Sequence, residues 1–145
     1  MPKYFTLKEL CDSETAKRKG IDNFPTFETA EHLLELTEKI LDPLRVAWGG
    51  PIHVNSGYRS PMLNKAVGGV ARSVHQIGYA ADLCPSNGKT EQFIDFARAW
   101  IIASKIKFDQ FIHETSADGK TVWLHIGLYN NAGAQRGQFL NLVKR

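Results

Sequence analysis

Residues 56–82 read SGYRSPMLNKAVGGVARSVHQIGYAAD, and this stretch decides how the rest of the chain is organised. Glycine interrupts it at position 57, at positions 68 and 69, and again at position 78. Because glycine adopts turn conformations at little cost, these breaks predict a folded loop rather than one long helix or strand. The loop carries Arg59, His75 and Asp82. We therefore interpret it as an active-site loop.

Two side chains of this loop, and a third farther along the chain, could bind a metal ion. His75 and Asp82 are seven residues apart, and a turn at Gly78 could bring them to a common point. The third candidate, His125, lies in the apolar and aromatic run TVWLHIGL at residues 121–128, which is typical of a largely buried strand. Two histidines and one carboxylate would leave one coordination position of zinc open, as in catalytic zinc sites.

Each of these residues also has an ordinary structural explanation. A single histidine in an apolar strand can be a hydrogen-bonded core residue, as His125 would then be. Asp82 can be a turn or cap residue, and Arg59 can form a surface ion pair. Residue types and spacing alone leave both interpretations open.

The pattern SGYRSPxLNxxVGGxxxSxHxxGxAxD, followed by WLHI, resembles the zinc D-alanyl-D-alanine carboxypeptidase family, in particular its short single-domain bacterial and phage members. The similarity runs from Tyr4 to the C-terminus and so covers nearly the whole chain. It implies the Hedgehog/DD-peptidase fold, Zn²⁺ as the cofactor and a peptidoglycan peptide as the substrate.

The resemblance also implies roles for individual residues. By position, His75, Asp82 and His125 would hold zinc, and Arg59 would contact the carbonyl or carboxylate of the substrate. Ser73, two residues before the first histidine, is a candidate for a hydrogen bond to the substrate or to the metal ligands, or for a cap.

The general base departs from the family pattern. Related peptidases often carry a glutamate three residues before the last histidine ligand, and this chain has Val122 there. We expect Glu114 to serve instead, because strand alternation puts Gln110, Ile112 and Glu114 on one face. The neighbouring Trp123 is expected to pack in the core.

The pattern of apolar residues predicts an α+β domain, with an antiparallel sheet of about four or five strands packed against two main helices. One helix is expected from Thr26 to Trp48, with a kink or restart at Pro43. The other should run from a cap at Thr90 to about Ser104. The expected buried residues are Leu33, Leu36, Ile40, Leu44 and Ala47 in the first helix, and Phe93, Ile94, Ala97, Trp100 and Ile101 in the second.

Two further local signals are clear. Thr6 and Glu9 form the capping-box pattern of a helix start. The pair Asp118-Gly119 predicts a hairpin turn, and residues 138–143 could add an edge strand.

Size and composition favour a single domain over residues 1–145. The chain has 145 residues, 43% of them hydrophobic and 23% charged, which are ordinary values for a globular protein. A formal charge of +3 is too small to predict nucleic-acid binding. We also expect the protein to be a monomer. Cys11 and Cys84 form no metal-type pair and are expected to be free thiols.

The chain shows neither an export signal at its start nor the run of roughly 18 apolar residues that a membrane helix needs. We therefore expect cytoplasmic synthesis and action on the cell wall after release by a separate route. Phage lysins commonly depend on such a route, which favours a phage or prophage origin.

These observations predict a zinc metallopeptidase that hydrolyses a peptide bond in bacterial peptidoglycan stem peptides. The bond could be a terminal D-Ala-D-Ala bond, as in a carboxypeptidase, or an internal L-Ala-D-amino-acid bond, as in an endopeptidase of the endolysin type. The alternative is a noncatalytic cell-wall-binding or virion-assembly module on the same scaffold.

Overall fold

Residues 3–144 are described by a computed structural model, in which helices cover one face of a five-stranded sheet. The helices are α1 (Leu7–Cys11), α2 (Glu14–Lys19), α3 (Phe27–Leu36), α4 (Asp42–Trp48), α5 (Pro61–Ala66) and α6 (Thr90–Ser104). A π-helical segment (Thr37–Leu41) joins α3 to α4, and a 3₁₀ helix (Val74–Ile77) precedes the second strand. The capping box predicted at Thr6 is confirmed, because Thr6 and Glu9 each accept a hydrogen bond from the backbone N–H of the other.

The long helix predicted over residues 26–48 is interrupted, as expected. The interruption is not at Pro43, however, but in the π-helical segment, which begins six residues earlier. A π turn contains an extra residue, so the helix face that follows it is rotated. The prediction that Ala47 is buried is wrong: in the last turn of α4 the side chain of Trp48 packs against the core, and that of Ala47 is exposed. Leu33 and Leu36 are buried in α3, Ile40 and Leu41 are both buried within the π-helical segment, and Leu44 is buried in α4.

The second predicted helix is confirmed as α6, with one correction at its start. Thr90 is the first helical residue, and Lys89 occupies the cap position without a side-chain hydrogen bond. On the sheet side, α6 buries Phe93, Ile94, Ala97 and Ile101, while Trp100 is partly buried.

The five strands form one sheet in the order β1-β2-β4-β3-β5. Their bounds are β1 (Ile52–Ser56), β2 (Ala80–Pro85), β3 (Gln110–Thr115), β4 (Val122–Gly127) and β5 (Gln138–Val143). The predicted α+β class is confirmed, and so are the β3–β4 hairpin around Asp118-Gly119 and the edge strand near the C-terminus.

One strand pair differs from the antiparallel arrangement expected from the sequence, because β5 pairs with β3 in parallel. After β4 the chain passes the start of β3, and β5 then runs along the side of β3 that faces away from β4. Hydrogen bonds from Gly137 and Gln138 to the carbonyls of Phe108 and Asp109 hold this crossing in place. A strand that returns in this way must be parallel to the strand it skipped.

The sheet has an apolar face and a polar face, as the period-two alternation of strands requires. On β2, Ala81 and Leu83 join the hydrophobic core with the helices, and Asp82 between them points the opposite way. Leu124 and Ile126 of β4 likewise belong to the core and flank His125. The polar face therefore collects the side chains that the sequence singled out. Between residues 3 and 144, no helix has both the length and the apolar character required to cross a bilayer.

Candidate active site

Three separate segments bring His75, Asp82 and His125 to one point on the polar face. The ligand atoms of the three side chains all lie within 4.8 Å of one another. Asp82 and His125 are direct partners in the β2–β4 register, and the 3₁₀ helix supplies His75 from above the sheet. Their nitrogen and carboxylate atoms are those that zinc prefers in catalytic sites, so this donor set fits the ion.

The carboxylate of Asp82 lies at the centre of this group. Its Oδ1 is 3.3 Å from Nε2 of His75 and 3.0 Å from Nδ1 of His125. Burial alone would raise the pKa of Asp82, but the adjacent histidines hold that pKa well below its ordinary value. The carboxylate is therefore ionised and able to bind a cation at neutral pH.

The orientation of His75 is set by its second ring nitrogen. Nδ1 donates a hydrogen bond of 2.7 Å to the carbonyl oxygen of Gly57, which leaves Nε2 directed toward Asp82. Burial lowers the pKa of His75, which favours the neutral imidazole that a metal requires. The turn predicted at Gly78 is present, with a left-handed φ of 84°.

Ser73 caps the 3₁₀ helix that carries His75. Its hydroxyl oxygen accepts a hydrogen bond of 3.2 Å from the backbone N–H of His75. The cap role that the sequence suggested is thus present. Ser73 also lines the cleft above the site, so contact with a substrate remains a prediction.

Arg59 is only 7% exposed and lies against the ligand group rather than in a surface ion pair. All three of its guanidinium nitrogens contact protein atoms. Nε donates to Ser56 at 3.0 Å, Nη1 donates to Asn64 at 3.1 Å, and Nη2 lies 3.4 Å from Oδ2 of Asp82. Arg59 therefore contacts Oδ2 of Asp82, while Oδ1 faces the two histidines, and Arg59 also lines the cleft.

Glu114 lies beside the ligand group, with its Oε1 4.0 Å from Nδ1 of His125. The predicted alternation on β3 is confirmed, because Gln110, Ile112 and Glu114 all line the cleft. Burial, with a further contribution from the charge of Asp82, raises the pKa of Glu114. A partly buried carboxylate with a raised pKa is well suited to accept and return a proton.

The side chain of Val122 faces the hydrophobic core rather than the cleft. Val122 and Leu124 share one face of β4, and Val122 packs against the hydrophobic core. A carboxylate there would point away from His125. The prediction that Trp123 packs in the core is wrong for the same reason, since alternation places Trp123 on the face of His125, opposite Glu114 in the β3–β4 register.

A cleft of about 790 Å³ covers these side chains, which is a usual size for a ligand site. Its walls include the loop of residues 68–74, the connection at residues 130–132 and the end of β5. The amide of Asn131 donates a hydrogen bond of 2.8 Å to the carbonyl of Arg72 and so joins two of these walls.

Sequence reasoning missed Asn64, a buried residue of α5 that contacts Arg59. It appears within the quoted pattern, but no local signal separates it from an ordinary helix residue.

Cys11 and Cys84 are free thiols, as predicted.

A family model described as Peptidase M15 matches residues 3–115. This match extends from before α1 through β3, and it contains His75, Asp82 and Glu114. It ends before β4, so His125 is placed by the sheet register alone. No curated protein matches the chain significantly.

Proposed function

The chain belongs to the peptidase M15 family, and from this premise we propose that it is a zinc metallopeptidase that hydrolyses a peptide bond of a bacterial peptidoglycan stem peptide. One observation carries the proposal. His75, Asp82 and His125 converge at a single point inside a cleft, and a carboxylate with a raised pKa lies beside them.

The ligand set proposed for zinc is His75 through Nε2, Asp82 through Oδ1 and His125 through Nδ1. When bound in such a site, zinc polarises the scissile carbonyl and lowers the pKa of its water toward about 7. With three protein ligands, one position stays available for water or substrate, whereas structural zinc sites are closed by four.

Glu114 is proposed as the general base. Its carboxylate would take a proton from the attacking water and deliver it to the nitrogen of the leaving amine. Its place beside His125, on the cleft side of β3, supports this role.

Arg59 and Ser73 are proposed to contact the substrate. Three of the five guanidinium N–H groups of Arg59 have protein acceptors, which leaves donors for a substrate carbonyl or carboxylate. A cation in this position would also stabilise negative charge that develops on the scissile carbonyl oxygen.

The substrate bond remains a choice between terminal D-Ala-D-Ala and internal L-Ala-D-amino-acid linkages. We also propose that the protein acts as a monomer and does not bind nucleic acid. Cytoplasmic synthesis, release to the wall by a separate route and a phage or prophage origin are also part of the proposal.

The test is cleavage of defined muropeptides, with products identified by mass spectrometry. We expect cleavage by the zinc-loaded chain, loss of cleavage after chelation and recovery when zinc is restored. Undiminished cleavage by a chain whose zinc content is verified as negligible would end the proposal. The mass of the released fragment also identifies the bond.

A valine in place of the usual glutamate at position 122 is the sequence feature that would favour the noncatalytic alternative. Since Val122 faces the core and Glu114 faces the ligands, that observation no longer favours it. Retained binding of wall material with no released fragment would revive it.

A further inference from the structure

Asn64 connects two parts of the site through the two ends of its side-chain amide. Its Oδ1 accepts a hydrogen bond of 3.1 Å from Nη1 of Arg59, and its Nδ2 donates one of 2.8 Å to the carbonyl of Val70. In a flipped amide, the NH₂ group would face the N–H of Arg59 and the oxygen would face the carbonyl oxygen of Val70. The side chain is only 3% exposed, so it has a single favourable orientation.

The first of these contacts reaches the metal ligands through Arg59. A guanidinium is planar, so hydrogen bonds to Ser56 and Asn64 also determine where its third nitrogen lies. That nitrogen, Nη2, is 3.4 Å from Oδ2 of Asp82, which is a long contact. Asp82 alone therefore holds the guanidinium weakly. The orientation of the guanidinium depends on its hydrogen bonds to Ser56 and Asn64.

The second contact holds the loop that leads to His75. The backbone N–H of Gly69 donates to the carbonyl of Asn64 at 2.9 Å, so the loop is held by both the backbone and the side chain of this residue. A Cβ atom on Gly69 would lie 2.1 Å from Oδ1 of Asn64 and 2.8 Å from Nη1 of Arg59. The loop thus packs directly on the Asn64–Arg59 hydrogen bond and shields it from water.

We infer that Asn64 is a positioning residue for this site: it orients Arg59, and through Arg59 it holds the Asp82 carboxylate toward the two histidines. The inference rests on the proposed function, because it assigns those three residues to zinc. Removing an outer partner of a metal ligand typically lowers metal affinity by about 10- to 100-fold. The same loss is expected when Asn64 no longer orients Arg59.

The test compares the zinc dissociation constant of four proteins by competition with a chromogenic chelator. Asn64→Leu removes both amide hydrogen bonds with little change of shape, and Asn64→Asp keeps the acceptor for Arg59 but loses the donor to Val70. Thr37→Val is the matched control, because it removes another fully buried polar contact, the 2.7 Å hydrogen bond to Leu33, in the π-helical segment. The fourth protein is the unmodified chain.

We expect Asn64→Leu to bind zinc about 10- to 100-fold more weakly than the unmodified chain. Thr37→Val should stay within about threefold of the unmodified chain, because its lost hydrogen bond lies in the π-helical segment. Asn64→Asp, which keeps the acceptor for Arg59, should bind zinc more tightly than Asn64→Leu. Thermal unfolding of the metal-free proteins shows whether each variant is folded. If Asn64→Leu shows no cooperative transition, Asn64→Ser replaces it, since its hydroxyl is too short to reach either partner, and the same limits apply.

Two results would overturn the inference while leaving the proposed function intact. One is a folded Asn64→Leu protein with the zinc affinity of the unmodified chain. The other is an equal loss in Asn64→Leu and Asn64→Asp, which would show that the tie to Val70 matters and the orientation of Arg59 does not. Failure of the unmodified chain to bind zinc would instead end the proposed function, and this inference with it.

Discussion

Nδ1 of His75 donates a hydrogen bond to the carbonyl oxygen of Gly57, 18 residues earlier in the chain. A carbonyl oxygen can only accept, so the contact determines which nitrogen carries the proton and which one faces Asp82. Gly57 itself lies against α1, where the next residue, Tyr58, donates its N–H to the carbonyl of Leu10 at 2.8 Å. The N-terminal helix therefore helps to orient a residue of the candidate metal site.

Replacement of Gly57 by alanine should disturb this relationship. A Cβ atom at Gly57 would lie 2.1 Å from the carbonyl oxygen of Leu10, which is backbone and has little freedom to move. We expect Gly57→Ala to lower the free energy of unfolding by about 1–3 kcal/mol and to weaken zinc binding. Urea unfolding and chelator competition measure the two effects.

Gly50→Ala is the matched control, since the contacts of a Cβ atom there begin at an ordinary 3.5 Å, with the Trp48 side chain. Equal stability of the two variants would show that Gly57 does not need its close approach to α1.

Replacement of Glu114 by glutamine should separate chemistry from metal binding. Glutamine keeps the size of the side chain but cannot accept the proton of the attacking water. We expect zinc content to be retained and kcat to fall by about 10²- to 10⁴-fold. Muropeptide turnover and metal analysis on the same sample check the two parts.

Glu91→Gln serves as the control for Glu114, because Glu91 is an exposed glutamate on α6 that contacts His113. A fully active Glu114→Gln protein would assign the base to another residue.

His113 of β3 and His125 of β4 lie on opposite faces of the sheet. His125 faces Asp82, whereas His113 lies 2.6 Å from Glu91 at Nε2, on the side of α6. We expect His125→Ala to weaken zinc binding by at least about 100-fold, since even outer partners of ligands account for 10- to 100-fold. His113→Ala should keep the zinc affinity of the unmodified chain and cost less than about 1 kcal/mol of stability. Weaker zinc binding in His113→Ala would show that the ligand set is assigned incorrectly.

The reactivity of Cys11 should depend strongly on pH. Burial raises the pKa of this thiol to about 11, and the thiolate is the reactive form. In a Cys84→Ser background, the folded protein should react slowly with a thiol reagent at pH 8, where about one thiol in a thousand is ionised. The rate should rise about tenfold for each pH unit up to pH 10 while the protein stays folded.

The same protein in denaturing urea is the reference for Cys11, because unfolding removes the burial. Reaction at pH 8 that is as fast in the folded as in the unfolded protein would contradict the assignment.

Local features of the fold were predictable because they depend on neighbours in the chain. The capping box at Thr6, the helix over residues 90–104 and the hairpin at Asp118-Gly119 each follow from a few adjacent residues. Strand alternation likewise predicted which face of β3 carries Glu114. In each of these cases the deciding contacts span only a few positions.

Long-range features were not predictable in this way. The parallel pairing of β5 depends on the path of the chain around β3. No local signal placed the interruption of the first helix at the π-helical segment rather than at Pro43. The position of Trp123 follows from strand alternation, but its apolar character suggested a core residue.

By itself, the sequence determined the helices, the strands and the residue types that could bind a metal, because periodicity and turn chemistry are local. Only the tertiary structure decided that Asp82 and His125 lie side by side, since 43 residues separate them and a strand register joins them. It also decided that Arg59 supports Asp82 and that Asn64 orients Arg59. These contacts depend on packing between distant segments, which no short stretch of sequence specifies.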